Sequence, residues 1–242
     1  MSGALQEKLE SVLAPYETGI AWCRSDLVRA YALVYRRYVK RGFVPPDPAG
    51  LVYHPTFGLG SSRTIATTYY GRTVGTVTVV GDSFCGLHIE STYPAEVARL
   101  RRQHRSLAEV TCLAIEPRPE EPKNGAFFAL TRFMYQYAQW CHYDDLLLAV
   151  HPRHARFYER WFRVYRFGPC RPYNLVQGAP AIACRIDLNS VDDVVPKDVY
   201  QWYTQPAIET HLFQRGPISH LDHWYLTNRT TSQPHERLRR AA

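Results

Sequence analysis

The stretch that decides the fold is Leu107-Ala-Glu-Val-Thr-Cys-Leu-Ala-Ile115. Nine residues rich in Leu, Val, Ile and Thr, with no Gly or Pro, read as a β-strand. Period-two alternation predicts Glu109, Thr111, Leu113 and Ile115 on one face and Val110, Cys112 and Ala114 on the other. A carboxylate inside such a strand either pairs with an Arg in a crevice or serves chemistry. Downstream, residues 116–124 form a loop with three acids and three prolines, and Gly125 opens a helix. Phe127, Leu130, Met134, Tyr137 and Cys141 make its apolar stripe, read as core. Residues 146–150 are wholly apolar, as expected of a strand covered on both faces. His151-Pro152 leads into a helix over about 154–162, with Ala155, Tyr158 and Phe162 on one side. Gly168-Pro169 is read as the end of that unit, and 181–188 as the last strand.

Upstream, a helix over 93–104 starts near Pro94, a first-turn position. Before it lies a hairpin, 63–70 and 73–80, turning at Gly71-Arg72. A Pro-rich loop precedes the hairpin. Ahead of that, residues 25–41 read as an amphipathic helix, capped by Ser25 and stopped by Gly42. The order helix, hairpin, helix, strand, helix, strand, helix, strand predicts an α/β protein with a mixed sheet. Beyond Leu188 the composition shifts to Tyr, Trp and His. The expected division is 1–189 as the main domain and 190–242 as a helical or irregular extension, its tail disordered from about Thr230.

The chain has 242 residues, 45% apolar and 21% charged, the profile of an ordinary globular protein. No run of about 18 apolar residues suggests a membrane span, and the N-terminus does not read as a secretory signal. The six cysteines are scattered without a C-x-x-C, and read as reduced, buried thiols of a cytoplasmic protein. A net charge of +7 favours an acidic partner. The densest basic run, Arg99 to Arg105, reads as a solvated helix end. No nucleic-acid motif accompanies it, so nucleic acid is not expected as a partner. His211, His220, His223 and Asp222 lack the residues to complete a zinc site, so no metal is expected.

Three segments carry a family resemblance: Tyr35-Arg-Arg-Tyr-Val39; the hairpin with Val74-Gly-Thr-Val77; and Val150-His-Pro-Arg-His-Ala-Arg-Phe-Tyr-Glu-Arg-Trp-Phe-Arg-Val-Tyr-Arg-Phe-Gly168. In order and character they resemble the first helix, second and third strands, and fifth strand-to-helix segment of the GNAT (acyl-CoA N-acyltransferase-like) fold, with 107–115 as its central fourth strand. Gly86-Leu-His-Ile-Glu90, Tyr93-Pro, Leu100-Arg101 and Leu107-Ala-Glu-Val110 are most similar to the FeeM-like N-acyl amino acid synthases, related to the acyl-homoserine-lactone synthases. The likeness covers about 21–188.

The resemblance implies transfer of a fatty acyl group from an acyl carrier protein thioester to the amine of an amino acid. Glu109 is then the base, acting through a water, and Tyr158 the donor to the leaving sulfur. Arg37 is implied in acceptor binding, Thr111 in substrate binding, and backbone N–H groups near Leu113 and Ile115 in holding the thioester carbonyl where the fourth and fifth strands splay. Lys123, Asn124 and Gly125 would meet the carrier phosphate, and Arg153 and Arg156 the acidic carrier itself. Cys112 stands where the family often has Arg, on the face opposite Glu109. Users of acetyl-coenzyme A have a basic, Gly-rich loop after the fourth strand. Here that loop is acidic and Pro-rich, so acyl-phosphopantetheine on a carrier protein is the expected donor rather than acyl-CoA. The alternatives are a CoA-dependent N-acetyltransferase and a non-catalytic module that binds an acyl carrier.

Overall fold

Seven strands build one mixed sheet: β1 (Tyr16–Ile20), β2 (Ser62–Tyr69), β3 (Arg72–Gly81), β4 (Leu107–Ile115), β5 (Asp145–Val150), β6 (Tyr165–Tyr173) and β7 (Ala179–Asp187). This computed structural model describes residues 11–116 and 118–230. The strand order is β1-β2-β3-β4-β5-β7-β6; only β4 and β5 pair in parallel. Helices α1 (Arg24–Arg41), α2 (Pro94–Arg102), α3 (Gly125–Trp140), α4 (Pro152–Phe162), α5 (Val191–Val194), α6 (Lys197–Thr204) and α7 (His220–Thr230) cover it. This is the GNAT-like α/β fold.

Local chemistry sets most boundaries. Tyr70 and Gly71 both take positive φ, 45° and 75°, the two-residue turn whose twist suits a hairpin. Gly42 stops α1 at φ 69°, its N–H returning to Tyr38 and Val39 carbonyls. Ser25 is not the cap of α1; Cys23 holds that place and its side chain caps nothing. Two strands lay outside the sequence reading. β1 is five residues long and contains Gly19. β6 runs straight through Gly168-Pro169, which the sequence marks as a break. The register with β7 shifts between Arg166 and Cys170, so the Pro sits in a bulge on an edge strand, where a missing N–H is tolerated.

Apolar side chains pack on both faces of the sheet. On one face Leu130, Phe133 and Met134 of α3 meet Trp202 and Tyr203 of α6. On the other, Leu27, Tyr31 and Val34 of α1 meet Val97 and Leu100 of α2 and Leu226 of α7. Residues after 190 thus fold back on both faces. Thr230 is a buried residue of α7; the rest of the expected disordered tail, 231–242, lies outside the described residues.

The basic run ending α2 is not simply solvated. Arg101 donates to both oxygens of Asp82, at 2.6 and 2.8 Å, and to both oxygens of Glu90. Arg105 pairs with Asp145, which is fully buried, and with Asp187 at 2.7 Å. These clamps tie α2 and its exit to the sheet. All six cysteines are free thiols, but only Cys112 and Cys184 are buried, and Cys85 and Cys170 are exposed. Among the described residues no helix is long and apolar enough to cross a membrane.

Candidate active site

The ladder between β4 and β5 holds for three residue pairs, Leu107↔Asp145 to Glu109↔Leu147, and then stops. β5 continues beside β7 as far as Val150↔Ile182, so the two central strands part just beyond Glu109. A cavity of about 440 Å³ opens there. On one side it is apolar, lined by Leu113, Ile115, Phe127, Leu148, Val150 and the Tyr158 ring. On the other it meets polar and basic groups: Arg37, Tyr38, Tyr53, His54 and His88. Glu109 is also part of the lining.

A bulge in β4 shapes this junction. Thr78 faces Thr111 but Thr76 faces Ala114, so one residue of β3 spans two of β4, and Cys112 takes φ 54°. The extra residue resets the alternation. Cys112 and Ala114 turn toward α1, the side on which Ile89 binds Glu109, while Leu113 and Ile115 join Val110 toward α3. The expectation that Cys112 opposes Glu109, with Leu113 and Ile115 on the Glu109 face, is therefore corrected. Period-two reading fails where a strand contains an αL residue that is not glycine.

Glu109 is 1% exposed. Its Oε2 accepts the Ile89 N–H at 3.0 Å, and the His88 N–H and Tyr173 hydroxyl also bind the carboxylate. Burial raises its pKa to about 7, against the opposing pull of those three donors; the nearby Glu90 charge adds to the rise. No Arg is paired with it among the described residues, so the crevice ion pair is not its role. The two backbone donors come from the turn 88–91, which Glu90 caps by accepting the Leu87 N–H at 2.7 Å while Arg101 grips its carboxylate. Beside it, His88 Nε2 lies 2.6 Å from Thr56 Oγ1 and 3.1 Å from His54 Nδ1. Burial, with His54 adjacent, lowers the His88 pKa to about 3, so this imidazole is neutral at physiological pH. Burial raises the Tyr158 phenol to about 12 and the Cys112 thiol to about 12; both stay protonated, and Cys112 is no thiolate nucleophile.

Seven residues singled out from the sequence line this one cavity: Glu109, Tyr158, Arg37, Thr111, Leu113, Ile115 and Arg153. Lys123, Asn124, Gly125 and Arg156 do not. Gly125 is buried, and a Cβ there would come within 2.5 Å of Tyr16 Oη. Tyr16 in turn donates to Glu121 at 3.3 Å. An aromatic ring and a carboxylate thus occupy the start of α3, where a phosphate was expected. Sequence reasoning passed over Tyr38, His88, Tyr173 and Arg41, which also line the cavity. Of these, His88 lies within Gly86-Leu-His-Ile-Glu90 and Tyr38 within Tyr35-Arg-Arg-Tyr-Val39, segments that carry the resemblance; Tyr173 and Arg41 have no such signal. Among the described residues, neither Arg41 nor Arg153 has a carboxylate partner, and both stand near His151 and His154 at the cavity rim. His211 pairs with Glu209 at 3.1 Å and His223 with Tyr53 at 2.6 Å, so the two have separate roles. No group of three or more ligand-type side chains suited to a metal occurs among the described residues.

A sequence profile of the family "N-acyl amino acid synthase FeeM" matches residues 29–187. No curated protein matches in sequence. Among solved structures, FeeM, an N-acyl amino acid synthase from uncultured soil microbes, is similar at 22% identity with TM-score 0.66, covering 76% of this chain and 96% of that one. The AHL synthase LasI is similar at 14% identity, TM-score 0.59, covering 80% and 96%. MesI, a CoA-dependent acyl-homoserine lactone synthase, is similar at 12% identity, TM-score 0.56, covering 78% and 94%. At these identities the structures speak to the fold, and the profile to the family.

Proposed function

Because this chain belongs to the FeeM family of N-acyl amino acid synthases, and is thus an acyltransferase, we propose that it moves a fatty acyl group from an acyl carrier protein thioester to the amine of an amino acid. One observation carries this: a carboxylate whose burial raises its pKa to about 7 lines a single cavity that has both apolar and polar, basic lining residues. The apolar half, in the gap between β4 and β5, suits the acyl thioester. Backbone beyond Glu109 on β4 has no β5 partner, and its N–H groups near Leu113 and Ile115 can hold the carbonyl as charge develops on oxygen. The polar half suits an amino acid, with Arg37 attracting its carboxylate.

The amine nitrogen attacks the thioester carbon and forms the C–N bond. Glu109 takes a proton from that nitrogen, directly or through one water. A base of pKa near 7 is matched to this task at neutral pH. The C–S bond then breaks, and the departing sulfur receives a proton from Tyr158, a phenol kept protonated by burial. At product release Glu109 gives up its proton and Tyr158 regains one, both by exchange with solvent, so the enzyme returns to its starting state with no net change in protons.

Two features favour a carrier-borne donor. Tyr16 and Glu121 occupy the start of α3, leaving no open cluster of N–H groups for a pyrophosphate. Arg41 and Arg153 at the rim would attract the acidic face of a carrier protein. Free thiols throughout fit the reducing cytoplasm where such carriers work. Acyl-CoA is the competing donor, favoured by the likeness to the CoA-dependent MesI.

Product mass spectrometry tests the reading. The protein is incubated with acyl carrier proteins bearing several chain lengths and a mixture of amino acids, with acyl-CoA arms in parallel. An N-acyl amino acid from the carrier arm is expected. Product from the CoA arm alone would overturn the donor, and no product in any arm would favour a non-catalytic acyl-binding module.

A further inference from the structure

Helix α7 lies outside the family match, which ends at residue 187, yet it reaches the wall of the cavity. His223 Nδ1 bonds the Tyr53 hydroxyl at 2.6 Å, and Tyr53 lines the cavity with its neighbours His54 and Phe57. The imidazole is wedged under the 3-10 turn Pro55–Gly58: a Cβ on Gly58 would collide with His223 Nδ1, Cγ and Cε1. Only glycine lets the turn sit this close to the helix.

The helix itself is fixed by independent contacts. Asp222 accepts from Arg24 of α1 at 2.6 Å, the same Arg24 guanidinium lies 4.7 Å from the Tyr225 ring centroid, and Leu226 is fully buried in the core cluster that includes Tyr31, Tyr53 and Phe57. Segment 51–58 has no strand or long helix of its own; α7 supplies the support on the Tyr53 side, and besides these contacts the segment is held by Tyr31–Tyr53, Tyr31–Phe57 and Tyr53–Phe57 ring packing, by the Val52 N–H on the Tyr31 carbonyl at 3.3 Å and by Ser62 on the Thr56 carbonyl at 2.8 Å. The wall it forms is continuous with the His88 network, since Thr56 and His54 both bond His88, and His88 precedes the Ile89 N–H that holds Glu109.

We propose that α7, acting through the His223–Tyr53 hydrogen bond, positions the 51–58 wall and so makes the C-terminal extension a determinant of acceptor affinity. This rests on the assignment of the polar half of the cavity to the amino acid. His223 is a positioning residue: it touches Tyr53, not substrate.

The test uses full-length protein carrying H223L, H223Q, Y53F or the pair Y53F/H223L. Losing one part-buried hydrogen bond predicts an acceptor KM raised about fivefold in H223L and Y53F. The double variant should be no worse than either single one, and H223Q, which retains a polar partner, should restore part of the loss. In H223L, which touches no substrate, the donor KM and kcat should stay within about twofold, because Glu109 and the residues between β4 and β5 keep their own supports. Hydrogen exchange should quicken in H223L and Y53F over residues 51–58 while β4 and β5 remain protected. Unchanged acceptor KM, additive effects, or a parallel loss for both substrates would overturn the proposal. If the wild-type protein transfers no acyl group, the functional assignment fails, and the exchange measurement alone decides whether His223 holds the wall; unaltered exchange over 51–58 then sinks it.

Discussion

Glu109→Gln should make the protein more stable at high pH than the wild type, and progressively less so as pH falls. In the fold the carboxyl titrates near 7, against 4.5 for the same group in solvent, and the chief cause is burial. Folding therefore binds the proton more tightly than the unfolded chain does. The stability this contributes is present in full below about pH 4.5 and is lost as pH rises through 7. A rise of this size corresponds to about 3 kcal/mol between the two limits. Glutamine has no proton to lose, so the variant lacks this term. It still offers a carbonyl oxygen to the Ile89 N–H and its amide can donate to the Tyr173 hydroxyl, but it gives these donors a weaker acceptor than a carboxylate does. The informative quantity is accordingly the slope of the stability difference with pH rather than its value at one pH. Urea unfolding of both proteins at intervals from pH 4.5 to 8.5 measures it. The difference should move by about 3 kcal/mol in favour of the variant across that range, with most of the change between pH 5 and 7.5. A pH-independent difference would show that Glu109 titrates like a solvated carboxylate and would refute the burial argument.

Other perturbations reach the site from different directions. Arg101→Met frees Glu90 and loosens the turn that presents N–H groups to Glu109; both changes disfavour the carboxylate, so the acidic limb of the kcat/KM profile should shift upward by about one unit, whereas lost activity on an unshifted limb would mean only a folding role. Tyr158→Phe should lower kcat about a hundredfold with little change in donor KM if the phenol protonates the sulfur; a rise in donor KM alone would make it a packing residue. Arg41→Glu with Arg153→Glu should raise the KM for a carrier-borne donor about tenfold at low salt, an effect that shrinks as salt rises. Kinetics at several salt concentrations read this, and an unaltered KM would remove the rim from carrier recognition.

The parts legible in the sequence are those fixed by local chemistry. The Gly42 stop, the hairpin turn, read at Gly71-Arg72 and found one residue earlier at Tyr70-Gly71, and the uninterrupted apolar strand at β5 each follow from a few adjacent residues. Glu109 stood out because a carboxylate in a β-strand is costly without a purpose. What remained hidden depends on distant partners. β6 was masked by Gly168-Pro169, whose bulge makes sense only once the strand is known to be an edge. The αL residue Cys112 reverses the faces of β4 beyond Thr111, and nothing in its neighbours announces it. Gly125 looked like an open phosphate site until Tyr16, 109 positions earlier, was seen to cover it. The roles of Arg101 and Arg105 were equally out of reach, since their partners Asp82, Glu90, Asp145 and Asp187 come from three other segments.

Proton removal from the attacking amine is the role proposed for Glu109. Its most direct test is single-turnover acyl transfer, from preloaded donor to amino acid, by wild type, Glu109→Gln and Glu109→Asp as a function of pH. The wild-type rate should rise with pH through about 7. The Gln variant should be slower by a factor of about 100 to 10,000 and lack that limb, with Asp in between and donor binding intact in all three. A Gln variant that transfers the acyl group at the wild-type rate with the same pH dependence would contradict the account.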